Sequence, residues 1–417
     1  MRLLSGLLEK FVRNGTLRIY DASGRLHTFG GNSPGPTVTA RINRRSLEYT
    51  LALNPELKAA EGYMDGALTF EDGSSIGDLL MLFSLNRAGL GSHGSQKLLR
   101  TLWRKLRRWQ QANPVGVAAK HARHHYDVPP ELYRLFLDDD MQYSCAYFHD
   151  FAHDTLEEAQ RHKLIHATAK LGLKPGMTVA EIGSGWGGFA IHIARQTGAK
   201  VVAINVSPEQ IKVSRERAQA AGVGNLVEFR ELDYRNLEGR FDRVVSVGMM
   251  EHVGSSHYGE YFGKIRNLLN DDGYAFVHFI GRMSPPGTTG PFIRKYIFPG
   301  GYSPALSEVL ATTERNGLWV ADIEILRLHY AHTIRQWRER FARNRAKAVA
   351  IMGERFCRMW EFYLAAVELE FLHGSHMVAQ LLLAKTRDAV PVRRDFMLDD
   401  EREAEAKVES KVKSKTL

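Results

Sequence analysis

Near the start of the chain, the spacing of hydrophobic residues is first typical of a helix and then of β-strands. Leucine and phenylalanine recur every three to four residues over Leu3–Val12, which predicts an amphipathic helix. Alternating runs predict three strands: Thr16–Tyr20, Arg25–Phe29 and Val38–Ile42. Ser74 and Ser75 then cap a short apolar helix over Ile76–Phe83. These patterns predict a small mixed α+β domain over residues 1–110.

From about residue 171 the pattern becomes strands that alternate with helices. Five apolar runs predict strands: Thr178–Ile182, Lys200–Asn205, Val227–Glu231, Phe241–Val247 and Gly273–Ile280. Helical patterns lie between and after them: Trp186–Thr197, Ser207–Ala221, Tyr258–Leu269, Thr333–Asn344 and Lys347–His373. Two late runs, Leu318–Leu326 and Val378–Lys385, complete the series. Alternation of this kind predicts an α/β domain with a doubly wound parallel sheet over residues 111–392.

The end of the chain has a different composition. Asp399–Leu417 holds six acidic and five basic residues and no aromatic residue. Such a segment buries little apolar surface to offset the entropy lost on ordering. We therefore predict a disordered, charged tail over residues 393–417.

Composition excludes several classes of protein. The 417 residues are 44% hydrophobic and 25% charged, which is typical of a globular chain and not of a disordered or collagen-like one. No apolar run reaches the roughly 18–20 residues of a membrane span. The two cysteines cannot form a four-cysteine zinc site, and the 17 histidines form no H-E-x-x-H set, so no metal is predicted. These features predict a soluble, cytoplasmic protein.

The charge balance points to an anionic partner. Lys and Arg number 56 against 47 acidic residues, a net charge of +9. Lys97–Arg108 predicts a helix with six cations around a Leu and Trp stripe, which favours adsorption on an anionic membrane surface. An ordinary solvated linker helix is the alternative. Nucleic acid is disfavoured because the cations belong to no recognisable reading module.

A glycine-rich turn follows the first strand of the α/β region. Glu181 is followed by Gly183, Gly185 and Gly187 at alternate positions, so the backbone can approach a ligand closely. This spacing favours an adenosyl cofactor over a dinucleotide, although a nicotinamide cofactor or a plain tight turn remains open. Further candidates follow the next strands: Asn205 and Gln210 for ribose hydroxyls, and Tyr234 with Arg235 for an adenine.

Seven short stretches together resemble one family. They are Gly62–Gly66 (GYMDG), His125–Asp127 (HYD), Tyr143–Phe148 (YSCAYF), Gly183–Gly188 (GSGWGG), Glu251–Gly254 (EHVG), Tyr296–Gly301 (YIFPGG) and His329–Ala331 (HYA). In order and spacing they resemble the cyclopropane-fatty-acyl-phospholipid synthases, S-adenosylmethionine-dependent enzymes related to the mycolic acid cyclopropane synthases. The resemblance covers residues 60–385. The departures from the usual pattern are Ser184 for Cys, Glu181 for Asp, Asn205 for Thr and Pro130 for Asn.

The resemblance implies a fold, a cofactor and a site. The fold is a class I methyltransferase domain with a smaller amino-terminal lipid-handling domain. S-adenosylmethionine is implied against Tyr143, Ser144, Glu181, Gly183, Gly185, Gly187, Asn205, Val206, Gln210, Tyr234 and Arg235. A catalytic bicarbonate ion is implied against Cys145, Glu251, His278, the Ile280 backbone and Tyr330.

The resemblance also implies a reaction. A methylene group passes from S-adenosylmethionine to the cis double bond of an acyl chain in a membrane phospholipid. The reaction proceeds through a carbocation that loses a proton to the bound bicarbonate in a dry tunnel. Tyr147 and Phe148 are candidates for stabilising that cation with their ring faces.

Other interpretations of the same residues stay open. Cys145 fits a buried small hydrophobe and His278 a structural histidine. Deprotonation without ring closure gives a methylene-branched chain as the second hypothesis, and a non-catalytic lipid-binding protein is a third. The expected partners are acyl chains at an anionic membrane surface, with the protein peripheral to its inner face. A homodimer is compatible with the sequence.

Overall fold

Two sheets organise the molecule. The computed structural model describes residues 1–31, 33–87 and 128–416. A four-stranded sheet lies in the amino-terminal part and a seven-stranded sheet in the rest. The boundary predicted near residue 110, the basic helix Lys97–Arg108 and the motif His125–Asp127 lie outside the described residues. None of the described helices is both long and apolar enough to cross a membrane.

The amino-terminal part is mixed α+β, as predicted. Its helices are α1 (Arg2–Phe11), α2 (Arg45–Leu53), α3 (Pro55–Met64) and α4 (Ile76–Leu85). Its strands are β1 (Asn14–Tyr20), β2 (Leu26–Gly30), β3 (Ser33–Ile42) and β4 (Leu68–Glu71), in the order β2-β1-β3-β4. Ser75 starts α4 with a reciprocal capping box to Asp78, which confirms the predicted cap. The pattern did not predict α2, α3 or β4.

The second sheet carries the α/β fold. Its strands are β5 (Thr178–Ile182), β6 (Lys200–Asn205), β7 (Val227–Glu231), β8 (Phe241–Val247), β9 (Leu269–Arg282), β10 (Trp319–Ile325) and β11 (His376–Ala384). The order is β10-β11-β9-β8-β5-β6-β7. Strands β5 to β9 are parallel, which confirms the predicted doubly wound core. The late strand β11 runs antiparallel to both β9 and β10.

Helices cover this sheet and extend beyond it. They are α5 (Pro130–Tyr133), α6 (Leu156–Ala169), α7 (Gly188–Thr197), α8 (Pro208–Ala220), α9 (Tyr258–Leu268), α10 (Leu306–Arg315), α11 (His329–Arg343), α12 (Arg345–Met352), α13 (Glu354–His373) and α14 (Asp395–Thr416). The single helix predicted over Lys347–His373 is divided between α12 and α13. Gly353 lies between them at φ 79°, a left-handed conformation that a helix does not contain.

Helix α13 joins the two parts. The Tyr63 hydroxyl on α3 donates a hydrogen bond of 2.8 Å to Glu361 on α13. On the same side, Glu61 accepts hydrogen bonds from Lys295 and Tyr296 at 2.6 and 2.9 Å. The GYMDG motif therefore lies at the junction between the amino-terminal part and the α/β domain.

The charged tail is helical, so the prediction of disorder over residues 393–417 is wrong for Asp395–Thr416. Met397 and Ala404 are buried where α14 packs on α6. Glu401 accepts a hydrogen bond of 3.0 Å from His166 Nδ1. Composition alone missed this helix because two apolar positions seven residues apart and one acid with a buried partner are enough to dock it.

Glu401→Ala is expected to lower the free energy of unfolding by about 1–3 kcal/mol, because a buried, charge-assisted hydrogen bond to His166 is lost. Denaturant unfolding followed by circular dichroism measures the change. Glu403→Ala, on the exposed side of the same helix, is the matched control and should have no measurable effect. Equal destabilisation by both substitutions would contradict the docking described above.

Candidate functional site

The glycine-rich turn sits at the carboxyl end of β5. Gly183, Gly185 and Gly187 have φ of 88°, 51° and 79°, a region that favours glycine. A Cβ on Gly187 would lie 2.8 Å from the side chains of Ser214 and Phe229, so that position has no room for one. Helix α7 begins at residue 188, two residues later than predicted, because Gly187 is left-handed. The turn thus presents backbone to a neighbouring pocket.

The end of β6 holds this turn in place. Asn205 Nδ2 donates to the Gly185 carbonyl at 3.2 Å and to Gln210 Oε1 at 2.8 Å. Gln210 is buried and lines the pocket. Val206, between them in sequence, is half-buried. Asn205 therefore secures the turn, while its predicted contact with a ribose stays a prediction.

A pocket opens beside the turn, at the carboxyl ends of β5, β8 and β9. Seven residues predicted for the site line it: Tyr143, Ser144, Glu181, Gly183, Gly185, Gln210 and His278. Lys163 on α6 lines it as well, and sequence reasoning missed that residue. One lysine within a helix carries no spacing signal, so only a search for buried cations in the folded chain could find it.

Lys163 and Glu181 bring opposite charges into the pocket. The Lys163 ammonium is buried and donates to Ser144 Oγ at 3.0 Å and to Gln142 Oε1. Burial lowers the pKa of Lys163 to about 8 and raises that of Glu181 to about 7. Glu181 Oε2 is buried without a hydrogen-bond partner among the described residues. A cation beside an unsatisfied carboxylate oxygen suits a ligand that carries both a carboxylate and an ammonium group.

Tyr234 and Arg235 do not line this pocket. The Tyr234 ring is buried edge-on against Tyr261, with 5.6 Å between ring centroids. The Arg235 guanidinium binds both oxygens of Asp233 at 2.8 Å. Their predicted contact with an adenine needs a ligand that extends from the pocket past β7, and it stays a prediction.

Glu251 follows β8 and is held by the neighbouring strand. Its Oε1 accepts a hydrogen bond of 2.6 Å from the Ile280 N–H. Its Oε2 is buried without a hydrogen-bond partner among the described residues. Burial raises the pKa of the carboxyl to about 7, so this group can exchange a proton near neutral pH. The Ile280 N–H therefore orients the Glu251 carboxylate, and the contact of the Ile280 backbone with a bicarbonate ion stays a prediction.

His278 lies two residues before Ile280 on β9, so both side chains point to one face of the sheet. Its Nδ1 lies 3.3 Å from Gln380 Nε2 on β11. Burial lowers the pKa of His278 to about 3, and the ring is therefore neutral. The neutral ring lines the pocket and offers its other nitrogen, Nε2, to a ligand.

Cys145 and Tyr330 are both buried, and neither is among the residues that line the pocket beside the glycine-rich turn. Burial raises the pKa of the Cys145 thiol above its usual range, so it is a neutral thiol and fits the small-hydrophobe interpretation. The adjacent Ala146 N–H donates to Thr333 Oγ1 at 3.0 Å, which ties this segment to α11. Tyr330 begins the same helix and is buried, its ring edge-on to Phe371 at 4.8 Å.

A continuous series of aromatic rings connects Tyr143 of the pocket with Tyr330. Tyr143 stacks on Trp337 at 5.0 Å, and Trp337 meets Tyr330 edge-on at 5.8 Å. The Tyr143 and Tyr363 hydroxyls are 3.1 Å apart, and Tyr363 meets Phe298 at 6.2 Å. We call these five rings the aromatic wall. It extends from Tyr330 to Phe298, whose ring lies against His252, the residue after Glu251.

Tyr147 belongs to a different cluster. Its ring lies between His166 and His329, with centroid distances of 4.1 and 4.7 Å and nearly parallel planes. Both faces of Tyr147 are therefore covered. Phe148 likewise packs against Phe151. The prediction that the Tyr147 ring faces a reacting cation is wrong, that for Phe148 stays a prediction, and the aromatic wall is a further candidate.

Comparison with known proteins finds a matching family model, similar sequences and similar structures. The family model described as mycolic acid cyclopropane synthetase matches residues 116–381. A "Probable fatty acid methyltransferase" of Pseudomonas putida is 42% identical over 87% of this chain and 91% of its own length. The "Cyclopropane-fatty-acyl-phospholipid synthase" of Escherichia coli K12 is 37% identical over 74% of this chain and 78% of its own. The crystal structure of mycolic acid cyclopropane synthase CmaA1 with SAH and CTAB is 29% identical, with a TM-score of 0.61, and covers 66% of this chain and 99% of that one.

Proposed function

Because this chain belongs to the mycolic acid cyclopropane synthetase family and is an S-adenosylmethionine-dependent methyltransferase of the cyclopropane fatty acid synthase type, we propose that it forms cyclopropane rings on phospholipids. Its substrate is the cis double bond of an unsaturated acyl chain. One carbon is added from the cofactor, and one proton leaves the lipid. The observation that carries this proposal is the buried Oε2 of Glu251, which has no hydrogen-bond partner among the described residues and precedes His252, whose ring contacts Phe298 of the aromatic wall.

The residues of the pocket fit the cofactor. Glu181 Oε2 lacks a partner among the described residues, and the turn at Gly187 has no room for a Cβ. In the proposed arrangement Glu181 binds the amino group and Lys163 the carboxylate of S-adenosylmethionine. The cofactor supplies an electrophilic methyl group when bound. Ser144 and Gln142 keep the Lys163 ammonium in position for this role.

In this proposal the aromatic wall stabilises the carbocation that methyl transfer creates. An alkene that receives a methyl group becomes a carbocation, which water would trap. Tyr143, Trp337 and Tyr330 exclude water from that position and offer electron-rich π faces. The same rings hold the chain in line for attack, which can supply about 7–11 kcal/mol of the barrier reduction.

Loss of a proton then closes the ring. In the proposed step the proton leaves the transferred methyl carbon, and its C–H electron pair forms the third ring bond. A bicarbonate ion held by Glu251, His278 and Tyr330 would supply the base that takes this proton. Ionised Glu251 accepts the hydrogen bond of the bicarbonate hydroxyl, while His278 and Tyr330 donate to its other oxygens. Charge-assisted hydrogen bonds of this kind are roughly twice as strong as neutral ones.

This assignment predicts a bell-shaped dependence of kcat/KM on pH. Glu251 must be ionised, so activity rises as the pH increases through about 7. Lys163 must be charged, so activity falls as the pH increases through about 8. Lys163→Arg keeps the charge at high pH and should move the alkaline limb upwards. An alkaline limb that this substitution leaves in place would assign the fall to another group.

The membrane is the proposed location of the substrate. The excess of 56 basic over 47 acidic residues supports attraction to the anionic inner face of a membrane. Leu3 and Leu53 on α1 and α2 are 61% and 79% exposed and add apolar contacts in the amino-terminal part. Sedimentation with anionic vesicles, and little with zwitterionic ones, is the expected result. Equal sedimentation with both would contradict the electrostatic part of the proposal.

Purified protein mixed with S-adenosylmethionine and vesicles of cis-unsaturated phospholipid tests the function itself. We expect release of S-adenosylhomocysteine and a gain of one CH2 in the lipid mass. Vesicles of saturated phospholipid are the matched control and should give neither. No release from unsaturated vesicles, with cofactor binding intact, would support a non-catalytic lipid-binding protein.

A second product is compatible with the same fold. The cation can also lose a proton without ring closure, which leaves an open, methylene-branched chain. Both products add one CH2 and release one proton, so the lipid mass does not distinguish them. The methylene-branched product first needs a 1,2-hydride shift from the methylated carbon to the cationic carbon. The electron pair of the C–H bond that then loses its proton forms a C=C bond instead of a ring bond.

A further inference from the structure

We propose that Gln380 is a positioning residue that fixes His278 in the tautomer with its proton on Nε2. His278 then presents a permanent hydrogen-bond donor to the pocket. The tautomer is a property of the folded chain alone, whereas its use in the reaction rests on the function proposed above.

The two side chains are paired across neighbouring strands. Gln380 on β11 lies directly opposite His278 on β9 in the antiparallel register. Both are buried, with 1% and 3% of their surface exposed. Gln380 Nε2 and His278 Nδ1 are 3.3 Å apart. Because the contact is buried, water cannot satisfy either nitrogen. The surrounding protein therefore determines which nitrogen donates the hydrogen bond and which accepts it.

Lys170 decides which end of the Gln380 amide faces the histidine. Its ammonium donates a hydrogen bond of 2.6 Å to Gln380 Oε1. An ammonium has only donors, so the amide oxygen must point to Lys170 and the amide NH2 to His278. An amide turned the other way would set its NH2 against the ammonium. His278 Nδ1 therefore has to accept, and the ring proton is left on Nε2.

An ion pair keeps Lys170 charged although it is buried. Lys170 Nζ also contacts Glu324 Oε2. Glu324 in turn accepts a hydrogen bond of 2.7 Å from His166, whose other nitrogen bonds Glu401 on α14. The chain of contacts thus continues from the docked carboxyl-terminal helix to His278. It also explains why one acid in the tail, Glu401, is largely shielded from solvent.

The fixed tautomer has a consequence for the proposed reaction. With Nδ1 engaged, Nε2 is the nitrogen that His278 offers to the pocket it lines. A protonated Nε2 donates to an anion, whereas an unprotonated Nε2 would point a lone pair at it. The neutral ring would therefore attract an anion in one tautomer and repel it in the other. Gln380 and Lys170 therefore act on the reaction through His278, without contacting the substrate.

Nitrogen NMR of the protein with ¹⁵N-labelled histidine tests the tautomer directly. Two-bond and three-bond correlations to the ring carbon protons separate a protonated from an unprotonated nitrogen, and the His278→Gln variant assigns the His278 signals. We expect a protonated Nε2 and an unprotonated Nδ1 in the unsubstituted protein. Gln380→Glu places an acceptor opposite Nδ1 and should move the proton to Nδ1. Lys170→Met frees the amide and should give a mixture of tautomers.

Gln219→Glu, exposed on α8, is the matched control and should leave the His278 signals unchanged. Circular dichroism and melting temperature establish that each variant is folded. If the Gln380→Glu variant is folded, its kcat should fall by up to about 10⁴-fold while KM changes little, as when a catalytic histidine is held in the wrong tautomer.

Two results would overturn the proposal. One is a protonated Nδ1, or a doubly protonated ring, on His278 in the unsubstituted protein. The other is an Nε2–H tautomer that survives in both folded Gln380→Glu and Lys170→Met. Neither result depends on turnover. An absence of lipid turnover with the Nε2–H signal in place would count against the proposed function alone.

Discussion

Glu251→Gln is expected to lower kcat by about 10²–10⁴-fold, the range typical for loss of a group that takes part in proton transfer. The amide keeps the size of the side chain and can still accept the Ile280 N–H, so the local fold should persist. It cannot ionise, however, and so it cannot accept the hydrogen bond of a bicarbonate as a carboxylate does. Release of S-adenosylhomocysteine with unsaturated vesicles measures the loss.

Cofactor affinity separates this role from a binding role. Glu251 does not line the pocket beside the glycine-rich turn, so calorimetric titration with S-adenosylhomocysteine should give a similar affinity in Glu251→Gln. Glu314→Gln on the exposed face of α10 is the control for the substitution itself. Parallel loss of binding and turnover would place Glu251 in the cofactor site and remove it from the proton transfer.

Lys163→Met is expected to weaken binding of S-adenosylhomocysteine by about 10- to 100-fold, the equivalent of one hydrogen bond to a charged group. Methionine fills a similar volume, but it leaves Glu181 without the nearby ammonium and removes the hydrogen bonds to Gln142 and Ser144, so some loss of stability is expected as well. Lys212→Met on the exposed side of α8 is the matched control. Calorimetry gives the affinity, and thermal melting gives the stability.

An analogue that lacks the amino-acid carboxylate makes this test specific. If Lys163 binds the carboxylate, the analogue should bind equally weakly to the unsubstituted protein and to Lys163→Met. An analogue affinity that still falls on substitution would show that Lys163 contributes through the shape of the pocket or through Ser144 and Gln142. That result would contradict the assigned contact.

The sequence pattern located the central strands well. Four parallel strands, β5 to β8, have the bounds that the pattern predicted, because strands buried on both faces are continuous apolar runs bounded by polar turns. Helix α14 could not be predicted in this way. Its docking depends on two isolated apolar residues, Met397 and Ala404, and on the contact of Glu401 with His166, which is 235 positions away in sequence.

The residues of the site also fall into two groups, those that the sequence predicted and those that only the folded structure shows. Gly183, Glu251 and His278 lie in motifs or at strand ends, and sequence reasoning found them. Lys163 and Gln380 lie inside a helix and a strand with no distinctive neighbours. Gln380 meets His278 across 102 positions of sequence, a pairing that only the sheet register creates. Buried polar residues such as Lys163 and Gln380 can be identified only when the fold shows which atoms they contact.

The NMR spectrum of the lipid product tests the central claim most directly. Vesicles of a defined cis-unsaturated phospholipid, treated with the protein and isotopically labelled S-adenosylmethionine, should yield a labelled carbon within a three-membered ring. Its protons would appear far upfield of ordinary chain methylenes. A label found instead in a terminal olefinic CH2 or a branching methyl group would contradict ring closure at this site.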